Sequence, residues 1–468
     1  MEKSKDYFFC GIGGSGMLPL AVIVKAAGHR VEGSDRALDQ GRTGAKFDYL
    51  ERLGIGLYAQ DGSGVVRPEQ IIVASAAVEE TVPDIAAASQ IGALRVTRPE
   101  LLSSLFNVAP RSIGVAGTSG KSTTTAMIAW ILDQAGVDPT VMNGAVMKNF
   151  VDEDAPFASA RIGSGDVFVS EVDESDGSIA GFNPTIAVLN NVALDHKSMD
   201  ELRALFGGFV DRSDVAVLNL DHPETAALAD KWSKKALTYS LEKQTAGFMA
   251  RNIEPRRFGV AFEVVDRARG AAMTIELKMP GRHNVSNALA AIAAASACNV
   301  DIETSSAALS SFEGVRRRLE YVGEASGVTV IDDFAHNPDK ITASLKTLHE
   351  FPGRLLIMFQ PHGFGPLKKM KNEFIAAFSD NLQADDVLIM PDPAYFGGTV
   401  DRSVSSADIA AGVVATGKTA TALQDRDACR AALLEAARSG DRIIVMGARD
   451  DTLSTFAAGL LDALAPSA

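Results

Sequence analysis

The chain has 468 residues, which is more than one hydrophobic core usually holds, so we expect two to four domains. Apolar residues make up 46% and charged residues 22%, a balance typical of globular proteins in water, and the formal net charge of −14 disfavours nucleic acid as a partner. No secretory signal is visible, and no apolar run approaches the roughly 20 residues of a membrane span. We therefore expect a cytoplasmic protein that does not insert into a membrane.

The three cysteines, Cys10, Cys298 and Cys429, are far apart and form no C-x-x-C pair. This spacing supports neither a disulfide framework nor a zinc site, and it fits a reducing compartment. We expect each cysteine to be a small buried apolar residue.

The first segment, residues 1–109, alternates short apolar runs with helical patterns, which predicts a Rossmann-like α/β domain. Directly after the run YFFC, the motif GIGGSG places Gly11, Gly13 and Gly16 at the spacing G-x-G-x-x-G. Bare glycine backbone lets a diphosphate approach the N-terminus of the following helix, and Asp35 closes the next predicted strand. The motif alone does not distinguish a UDP-sugar from NAD, and close packing of helix on strand is the alternative explanation.

The second segment, residues 110–314, contains the stretch GVAGTSGKSTTT, which follows an apolar run and opens an apolar-periodic segment. This pattern predicts a strand, a tight loop and a helix, with backbone N–H groups that converge on a phosphate. The strict pattern G-x-x-x-x-G-K-[ST] needs glycine where the chain has Val115, so the loop is a variant that begins at Gly117. Lys121 would reach the outer phosphates of a nucleotide, and the Ser122 hydroxyl would hold a magnesium ion. The alternative is a glycine-rich turn with a surface lysine.

Later apolar runs of this segment end in side chains that suit a metal or a phosphate, and the carboxyl ends of parallel strands share one crevice. Glu171 ends the run DVFVS and is the candidate magnesium ligand, because several carboxylates together need cations. His196 ends another run, and a metal or phosphate role is favoured over a structural one. Three more carboxylates follow Glu171 and either cap the next helix or face water: Asp173, Glu174 and Asp176.

Two further patterns have both a functional and an ordinary explanation. Asn284 and Asn287 in GRHNVSN can read the edge of adenine, or one of them caps the following alanine-rich helix. The arginines of VRRRLE, at positions 316–318, lie at a predicted domain junction, where a guanidinium can move onto a transferring phosphoryl group. At least one of the three is expected to be simply solvated. The remaining segment, residues 315–468, again alternates strands and helices and predicts a third, Rossmann-like domain.

Taken together and in this order, the motifs resemble those of the Mur ligase family, ATP-dependent enzymes that form amide bonds in peptidoglycan synthesis. The resemblance runs nearly from end to end of the chain. It is carried by GIGGSGM at 11–17, GSD at 33–35, AGTSGKSTTT at 116–125, EVDESDGS at 171–178, NVALDH at 191–196, GRHNVSN at 281–287, GVRRRLE at 314–320, DDFAHNP at 332–338 and FQPH at 359–362.

This resemblance implies a fold of three α/β domains, with limits at 1–109, 110–314 and 315–468. The first domain would bind UDP-N-acetylmuramate, the central one, a parallel-sheet ATPase with a phosphate loop, would bind ATP and magnesium, and the third would bind an amino acid or a short peptide. Domain closure would exclude the water that otherwise hydrolyses an acyl phosphate. The sequence does not reveal the oligomeric state.

The resemblance also implies roles for individual residues. Arg318 would contact the γ-phosphate and Asp333 the ribose, and Asn284 and Asn287 would face adenine. The residues implied around the rest of ATP are Gly117, Thr118, Ser119, Gly120, Lys121, Ser122 and Thr123. The implied metal ligands are Ser122, Glu171 and His196. The residues implied to contact the substrates are Gly11, Gly13, Gly14, Ser15, Gly16, Met17, Ser34, Asp35, Ser75 and His362. The residues implied in catalysis are Lys121, His196, Arg318 and His336.

The chain departs from the family pattern in the phosphate loop and after FQPH. Ser119 stands where histidine is usual, and Ser122 where threonine is usual. More important, Gly363 and Pro366 stand where the branch that adds alanine carries arginines. Lys368 or Lys369 could substitute as point charges, although without the bidentate fork of arginine.

The leading hypothesis is therefore a ligase that joins the lactyl carboxylate of UDP-N-acetylmuramate to L-alanine through an acyl phosphate. GIGGSGM and EVDESDGS are similar to the branch that adds alanine, whereas RRRLE and DDFAH are also similar to the branch that re-attaches a recycled tripeptide, L-Ala-γ-D-Glu-diaminopimelate. Two other classes stay open at this point. One is an NAD-dependent oxidoreductase, argued from the first glycine motif alone, and the other is a catalytically silent nucleotide-binding protein.

Overall fold

The computed structural model describes residues 4–75, 78–194, 197–232, 235–393, 401–448, 450 and 452–465. These residues form three sheets and divide into two compact units. One unit comprises Met1–Glu254, Ala261–Lys278 and His283–Val315, and the other comprises Pro255–Val260, Met279–Arg282 and Arg316–Ala468. Among the helices that the structure describes, none has both the length and the apolar content that a membrane crossing requires.

The first sheet has five strands in the order β3-β2-β1-β4-β5, all paired in parallel. Chain order reverses at β1, and ligands of such sheets bind beyond the carboxyl ends of the strands at this point. Its strands are β1 (Asp6–Cys10), β2 (Arg30–Ser34), β3 (Gly56–Tyr58), β4 (Gln70–Ala74) and β5 (Leu94–Thr97). Its helices are α1 (Met17–Ala26), α2 (Arg36–Asp39), α3 (Gly44–Arg52), α4 (Pro83–Ile91) and α5 (Arg98–Asn107).

The second sheet has ten strands in the order β15-β14-β13-β12-β11-β10-β6-β9-β7-β8. Its strand β6 pairs in parallel with both β9 and β10, so the carboxyl ends of these three strands meet at one edge. The strands are β6 (Arg111–Ala116), β7 (Thr140–Met142), β8 (Ala160–Arg161), β9 (Val167–Glu171), β10 (Ile186–Leu189), β11 (Val215–Asn219), β12 (Lys235–Ser240), β13 (Phe248–Arg256), β14 (Gly259–Asp266) and β15 (Ala271–Leu277). The helices are α6 (Lys121–Gln134), α7 (Met199–Asp211), α8 (Pro223–Lys231), α9 (Arg282–Ala297) and α10 (Ile302–Ser310).

One apolar cluster joins the first two sheets, because side chains of both contribute to it. Phe106 of α5 has its ring centroid 5.8 Å from that of Phe168 on β9 and 5.4 Å from that of Phe182. All three rings are buried, and aromatic pairs at such separations add to the stability gained by burial. Helix α5 is therefore fixed against the second sheet as well as the first.

The third sheet has six strands in the order β16-β17-β21-β18-β19-β20, of which β16 is antiparallel to its neighbour and the other pairs are parallel. Apolar clusters cover both of its faces. The strands are β16 (Glu320–Ala325), β17 (Val328–Asp333), β18 (Leu355–Gln360), β19 (Val387–Pro391), β20 (Thr419–Leu423) and β21 (Arg442–Gly447). The helices are α11 (Pro338–Leu348), α12 (Phe364–Lys369), α13 (Lys371–Asn381), α14 (Ser406–Val414), α15 (Arg426–Ala436) and α16 (Thr452–Leu464).

The predicted α/β class is confirmed, and both glycine motifs lie between a strand and a helix as expected. The limits 1–109, 110–314 and 315–468 stay a prediction. Strands β13, β14 and β15 are not among the sequence-predicted elements, because their alternating pattern is interrupted by exposed charges such as Arg251. The three cysteines are free and buried. Burial raises the pKa of the Cys10 and Cys429 thiols to about 12, so both stay protonated.

Candidate functional site

The loop between β6 and α6 depends on two glycines. Gly120 has a φ of +81°, and a Cβ there would lie 2.5 Å from Oδ1 of Asn287 and 2.9 Å from Nδ2 of Asn190. Gly117 has a φ of +133°, and a Cβ there would lie 3.1 Å from the backbone N and O of Asn191. A side chain at either position would therefore meet both conformational strain and a close neighbour.

Asn191, which follows β10, holds the middle of this loop. Its Oδ1 accepts hydrogen bonds from Oγ1 of Thr118 at 2.7 Å and from the backbone N–H of Ser119 at 3.0 Å, and its Nδ2 donates to Oγ of Ser119 at 3.0 Å. This asparagine lies within the motif NVALDH, and no role was predicted for it. Its contacts show that β10 supports the loop as well as β6 does.

Lys121 is the first residue of α6, and its ammonium is buried among carboxylates. Its Nζ donates to the carbonyl oxygen of Gly117 at 2.8 Å and to Oε2 of Glu174 at 2.9 Å. Burial opposes the charged form, but the carboxylates of Glu174, Glu171 and Asp173 outweigh it and raise the pKa of Lys121. Burial also raises the pKa of Glu174, although Lys121 opposes this. Lys121 therefore carries its positive charge at the loop, as predicted, and is paired with Glu174, a partner that was not predicted.

Ser122 and Glu171 come together although they lie on different elements. Oγ of Ser122 donates to Oε2 of Glu171 at 2.8 Å, and the backbone N–H of Gly144 donates to the same oxygen at 3.0 Å. A hydroxyl and a carboxylate at the end of a phosphate loop are donors that suit Mg²⁺, which also takes phosphate oxygens and water. These side chains therefore fit the predicted ion. Among the described residues there is no cluster of three or more metal-binding side chains, and the predicted ligand His196 lies outside those residues.

The other carboxylates after β9 have local partners. Asp173 accepts a hydrogen bond from the backbone N–H of Ser175 at 3.1 Å, and the exposed Asp176 accepts one from that of Ser178 at 2.9 Å. These contacts agree with the ordinary explanation that such residues cap turns.

Asn284 and Asn287 lie in the first two turns of α9 and are buried. Nδ2 of Asn287 donates to Oδ1 of Asn284 at 3.2 Å, and Oγ1 of Thr124 donates to Oδ1 of Asn287 at 3.3 Å. Thr124 also accepts a hydrogen bond from Nδ2 of Asn190 at 3.0 Å. The two asparagines thus connect α9 to α6 beneath the loop, and their contact with adenine stays a prediction.

The first glycine motif, residues 11–16, is braced by Asp35. Oδ2 of Asp35 accepts a hydrogen bond from the backbone N–H of Gly13 at 2.8 Å, while Oδ1 accepts one from that of Ala37 at 2.8 Å and so caps α2. Each carboxylate oxygen of Asp35 therefore already accepts one hydrogen bond within the fold. The neighbouring Ser34 is buried and donates to Asp84. Met17, also buried, begins α1, and the exposed Ser75 follows β4.

Three of the predicted residues in the second unit gather around Phe334. The guanidinium carbon of Arg318 lies 4.4 Å from the centroid of the Phe334 ring. Nδ1 of His336 lies 2.8 Å from the carbonyl oxygen of Phe334. The rings of His336 and His362 are perpendicular, with centroids 5.4 Å apart. The structure thus brings a cation and two imidazoles together at the ends of β17 and β18.

The three consecutive arginines have different environments. Arg316 is exposed, as expected for at least one of them, whereas Arg317 is buried. The Arg317 guanidinium donates to Oδ1 of Asp332 at 3.2 Å and to the carbonyl oxygens of Gly447 and Asp450 at 2.8 and 3.1 Å. Arg318, by contrast, is half-buried.

Asp333 is buried at the end of β17, and both of its carboxylate oxygens have partners in this unit. Oδ1 accepts a hydrogen bond from the backbone N–H of Leu319 at 3.2 Å, and Oδ2 accepts one from Oγ of Ser344. This carboxylate therefore fixes the start of β16 relative to α11, and its contact with ribose stays a prediction.

A phosphate loop with a buried lysine at the end of a parallel strand, together with a second glycine loop in the same compact unit, defines a class of nucleotide-binding α/β proteins. Comparison with known families narrows this class. The description "Mur ligase family, catalytic domain" matches residues 6–109, "Mur ligase middle domain" matches residues 115–295, and "Mur ligase, glutamate ligase domain" matches residues 317–449.

Relatives of nearly equal length extend this similarity. A UDP-N-acetylmuramate--L-alanine ligase of Pelotomaculum thermopropionicum is 34% identical over 96% of this chain and 96% of its own, and one of Novosphingobium aromaticivorans is 35% identical over 98% and 96%. The crystal structure of a UDP-N-acetylmuramate-alanine ligase from Thermotoga maritima has a TM-score of 0.80 at 24% identity over 98% of both chains. A murein peptide ligase from Psychrobacter arcticus has a TM-score of 0.72 at 24% identity over 99% and 100%.

The chain belongs to the Mur ligase family. Members of this family form amide bonds with ATP, so the chain is an enzyme of the ligase class. The oxidoreductase hypothesis, which rests on the first glycine motif alone, has no support from these matches. The expected three-domain α/β fold is confirmed.

His336 should stay neutral at neutral pH. Burial, together with the charges of Lys340 and Arg318 and the nearby His362, lowers the pKa of His336 to about 3. We expect its ring signal in an NMR titration, assigned by its absence in His336→Gln, to stay constant between pH 8 and pH 5. Because the unfolded chain takes up this proton near pH 6.5, the His336 contribution to the free energy of unfolding should fall as the pH drops from 6.5 towards 3. A ring that titrates near pH 6.5 in the folded protein would contradict this assignment.

Proposed function

We propose that this chain acts in the cytoplasm and uses ATP and Mg²⁺ to join the lactyl carboxylate of UDP-N-acetylmuramate to the amine of L-alanine. The observation that carries the proposal is the arrangement at the ends of β6 and β9, where Lys121 and the Ser122–Glu171 pair surround the phosphate loop. The relatives named above support the choice of substrates, because they match almost the whole length of this chain.

The chemistry of this reaction explains why such a site is needed. A carboxylate is a poor electrophile, so transfer of the γ-phosphoryl group first converts it to an acyl phosphate and releases ADP. The amine then attacks the carbonyl carbon, loses a proton, and inorganic phosphate leaves through a tetrahedral intermediate. Lys121 supplies a fixed positive charge at the outer phosphates, where negative charge moves during both steps. When bound, Mg²⁺ would neutralise phosphate oxygens, and Ser122 and Glu171 would hold it, with His196 as a further proposed ligand.

The remaining predicted residues support parts of the same reaction. Arg318 beside His336 and His362 is our candidate for the γ-phosphate, because a half-buried guanidinium stacked on a ring keeps its donors oriented. We assign adenine to Asn284 and Asn287, the ribose to Asp333, and the nucleotide sugar to the glycine loop before α1. The three domains of the proposal are 1–109, 110–314 and 315–468.

A recycled tripeptide is the second candidate for the amine substrate. Gly363 and Pro366 offer no cation where the branch that adds alanine has arginines, and the ammonium of Lys368 is paired with Asp401. Lys369 is exposed at the end of α12. Since a small amino acid depends on its α-carboxylate for recognition, this arrangement favours a larger amine that is held elsewhere.

The amine can be identified by phosphate release from UDP-N-acetylmuramate with L-alanine, glycine, L-serine and L-Ala-γ-D-Glu-diaminopimelate offered separately and in competition. We expect L-alanine to give the highest kcat/KM. UDP-N-acetylglucosamine, which lacks the lactyl carboxylate, serves as the control and should release no phosphate. Preference for the tripeptide would reverse the ranking, and a lack of phosphate release with every amine would contradict the proposed function.

Replacing Lys121 should abolish turnover because the positive charge at the phosphates is lost. A second substitution can separate this effect from the loss of stability. Lys121→Met should lower the free energy of unfolding by about 3–5 kcal/mol, because it leaves Glu174 buried without its partner. The double variant Lys121→Met/Glu174→Gln removes both charges, so it should recover most of this stability while phosphate release stays absent. Wild-type turnover in the double variant would show that the lysine charge has no role in catalysis.

Glu171→Gln should raise the Mg²⁺ concentration needed for half-maximal phosphate release about tenfold or more, because an amide oxygen is a neutral and poorer ligand than a carboxylate. The amide oxygen still accepts the hydrogen bonds from Ser122 and Gly144, so the fold should be unaffected. Asp176→Asn is the matched control, since this exposed carboxylate caps only a turn. If phosphate release by Glu171→Gln depends on the Mg²⁺ concentration as in the wild type, Glu171 is not a ligand and Asp173 becomes the next candidate.

A further inference from the structure

Arg98 is the first residue of α5, and its backbone is held in a fixed orientation. The preceding Thr97 forms a capping box with Glu100: Oγ1 of Thr97 accepts from the backbone N–H of Glu100 at 3.3 Å, and Oε2 of Glu100 accepts from that of Thr97 at 2.7 Å. Pro99 follows in the first turn, and Phe106 anchors the far end of the helix between two rings. The direction in which Arg98 leaves the helix is therefore set by the fold.

A positive charge at this position is unfavourable for the helix itself. The N-terminus of a helix carries a partial positive charge, so a cation there costs about 0.3–1 kcal/mol, whereas Glu100 is placed as the helix prefers. Arg98 is also half-buried, and no described residue accepts a hydrogen bond from its guanidinium or forms an ion pair with it. A residue that is unfavourable for its local structure is often retained because it binds a ligand.

The guanidinium lies against the last glycine of the first glycine loop. A Cβ at Gly16 would lie 3.1 Å from Cδ, 3.4 Å from Nε and 3.5 Å from Nη1 of Arg98. Within the described part of the chain, the backbone N–H groups of Ser15 and Gly16 have no hydrogen-bond acceptor. The third glycine of GIGGSG therefore provides the space for this arginine, and its guanidinium lies beside a loop that has two backbone donors to offer.

Arg98, the glycine loop of the first sheet and the phosphate loop all belong to one compact unit.

We propose that Arg98 binds the diphosphate of the nucleotide sugar opposite residues 15 and 16, an inference that rests on the proposed function. The diphosphate is favoured over the lactyl carboxylate because the guanidinium lies beside Gly16 of the glycine loop. An arginine fork binds phosphate oxygens in a bidentate manner, and backbone N–H groups alone do not neutralise their charge. The substrate would thereby be fixed at its diphosphate while its sugar extends towards the phosphate loop.

Calorimetry on the full chain tests this proposal with UDP, UDP-N-acetylmuramate and uridine as separate probes. We expect Arg98→Ala to weaken binding of UDP and of UDP-N-acetylmuramate by the same factor, about ten- to a hundredfold, and to leave uridine binding unchanged. Arg98→Lys should restore part of the loss, because a point charge lacks the fork. The matched control is Arg95→Ala on β5, whose guanidinium pairs with the exposed Glu80 at 2.7 Å and should not affect any of the three ligands.

Gly16→Ala is a second variant that leaves the charge in place but displaces the side chain of Arg98, and it should weaken UDP binding as well. Thermal unfolding of each variant shows whether the fold is kept. A loss confined to UDP-N-acetylmuramate would assign Arg98 to the carboxylate and overturn the proposal, as would unchanged UDP affinity in a folded Arg98→Ala. If the wild type binds no uridine nucleotide, both this inference and the proposed function fail, whereas wild-type binding and turnover with an unaffected variant refute this inference alone.

Discussion

The balance of charge around Lys121 is the constraint on which the rest of the site depends. One ammonium is surrounded by the carboxylates of Glu171, Asp173 and Glu174, so the site without ligands carries an excess of negative charge. A nucleotide triphosphate adds still more negative charge, and like charges at this separation oppose binding strongly in a buried site. Binding of ATP therefore depends on additional cations. In the proposed function, Mg²⁺ held by Ser122 and Glu171 would supply one of them.

Some features of this site were predictable from the sequence, and others were not. The loop, Lys121 and the Ser122–Glu171 pair were predictable because the residues lie at fixed offsets from strand ends, and parallel strands bring those ends together. The partnership of Glu174 with Lys121 was not, since four carboxylates in a short stretch offer no local signal of which one turns inwards. Asn191 was missed for a related reason: its support of the loop arises from the pairing of β10 with β6, which no motif reports.

The second unit shows how backbone conformation separates neighbours that look alike in sequence. Arg317 has a positive φ of 61° and points into the sheet, where it satisfies buried carbonyl oxygens, while Arg316 faces water. The third arginine, Arg318, lies over the ring of Phe334, whose carbonyl oxygen contacts His336. The family resemblance selects Arg318, but charge and spacing alone do not, because the left-handed turn that reorients the middle arginine has no glycine to indicate it. The three α/β segments, by contrast, follow directly from alternating apolar runs and helical patterns.

The two glycine loops of the first unit have a similar backbone arrangement, but their cations come from different places in the fold. Each follows a central parallel strand and is proposed to approach phosphate with bare backbone. Each is also braced by a side chain, Asp35 in one loop and Asn191 in the other. Backbone donors alone leave the phosphate charge uncompensated, so each loop also needs a cation. In the phosphate loop the cation is Lys121, the next residue after the last glycine, and a short motif therefore reveals it. In the first loop the cation comes from α5, whose burial against the second sheet fixes Arg98 in place, so only the folded structure reveals it.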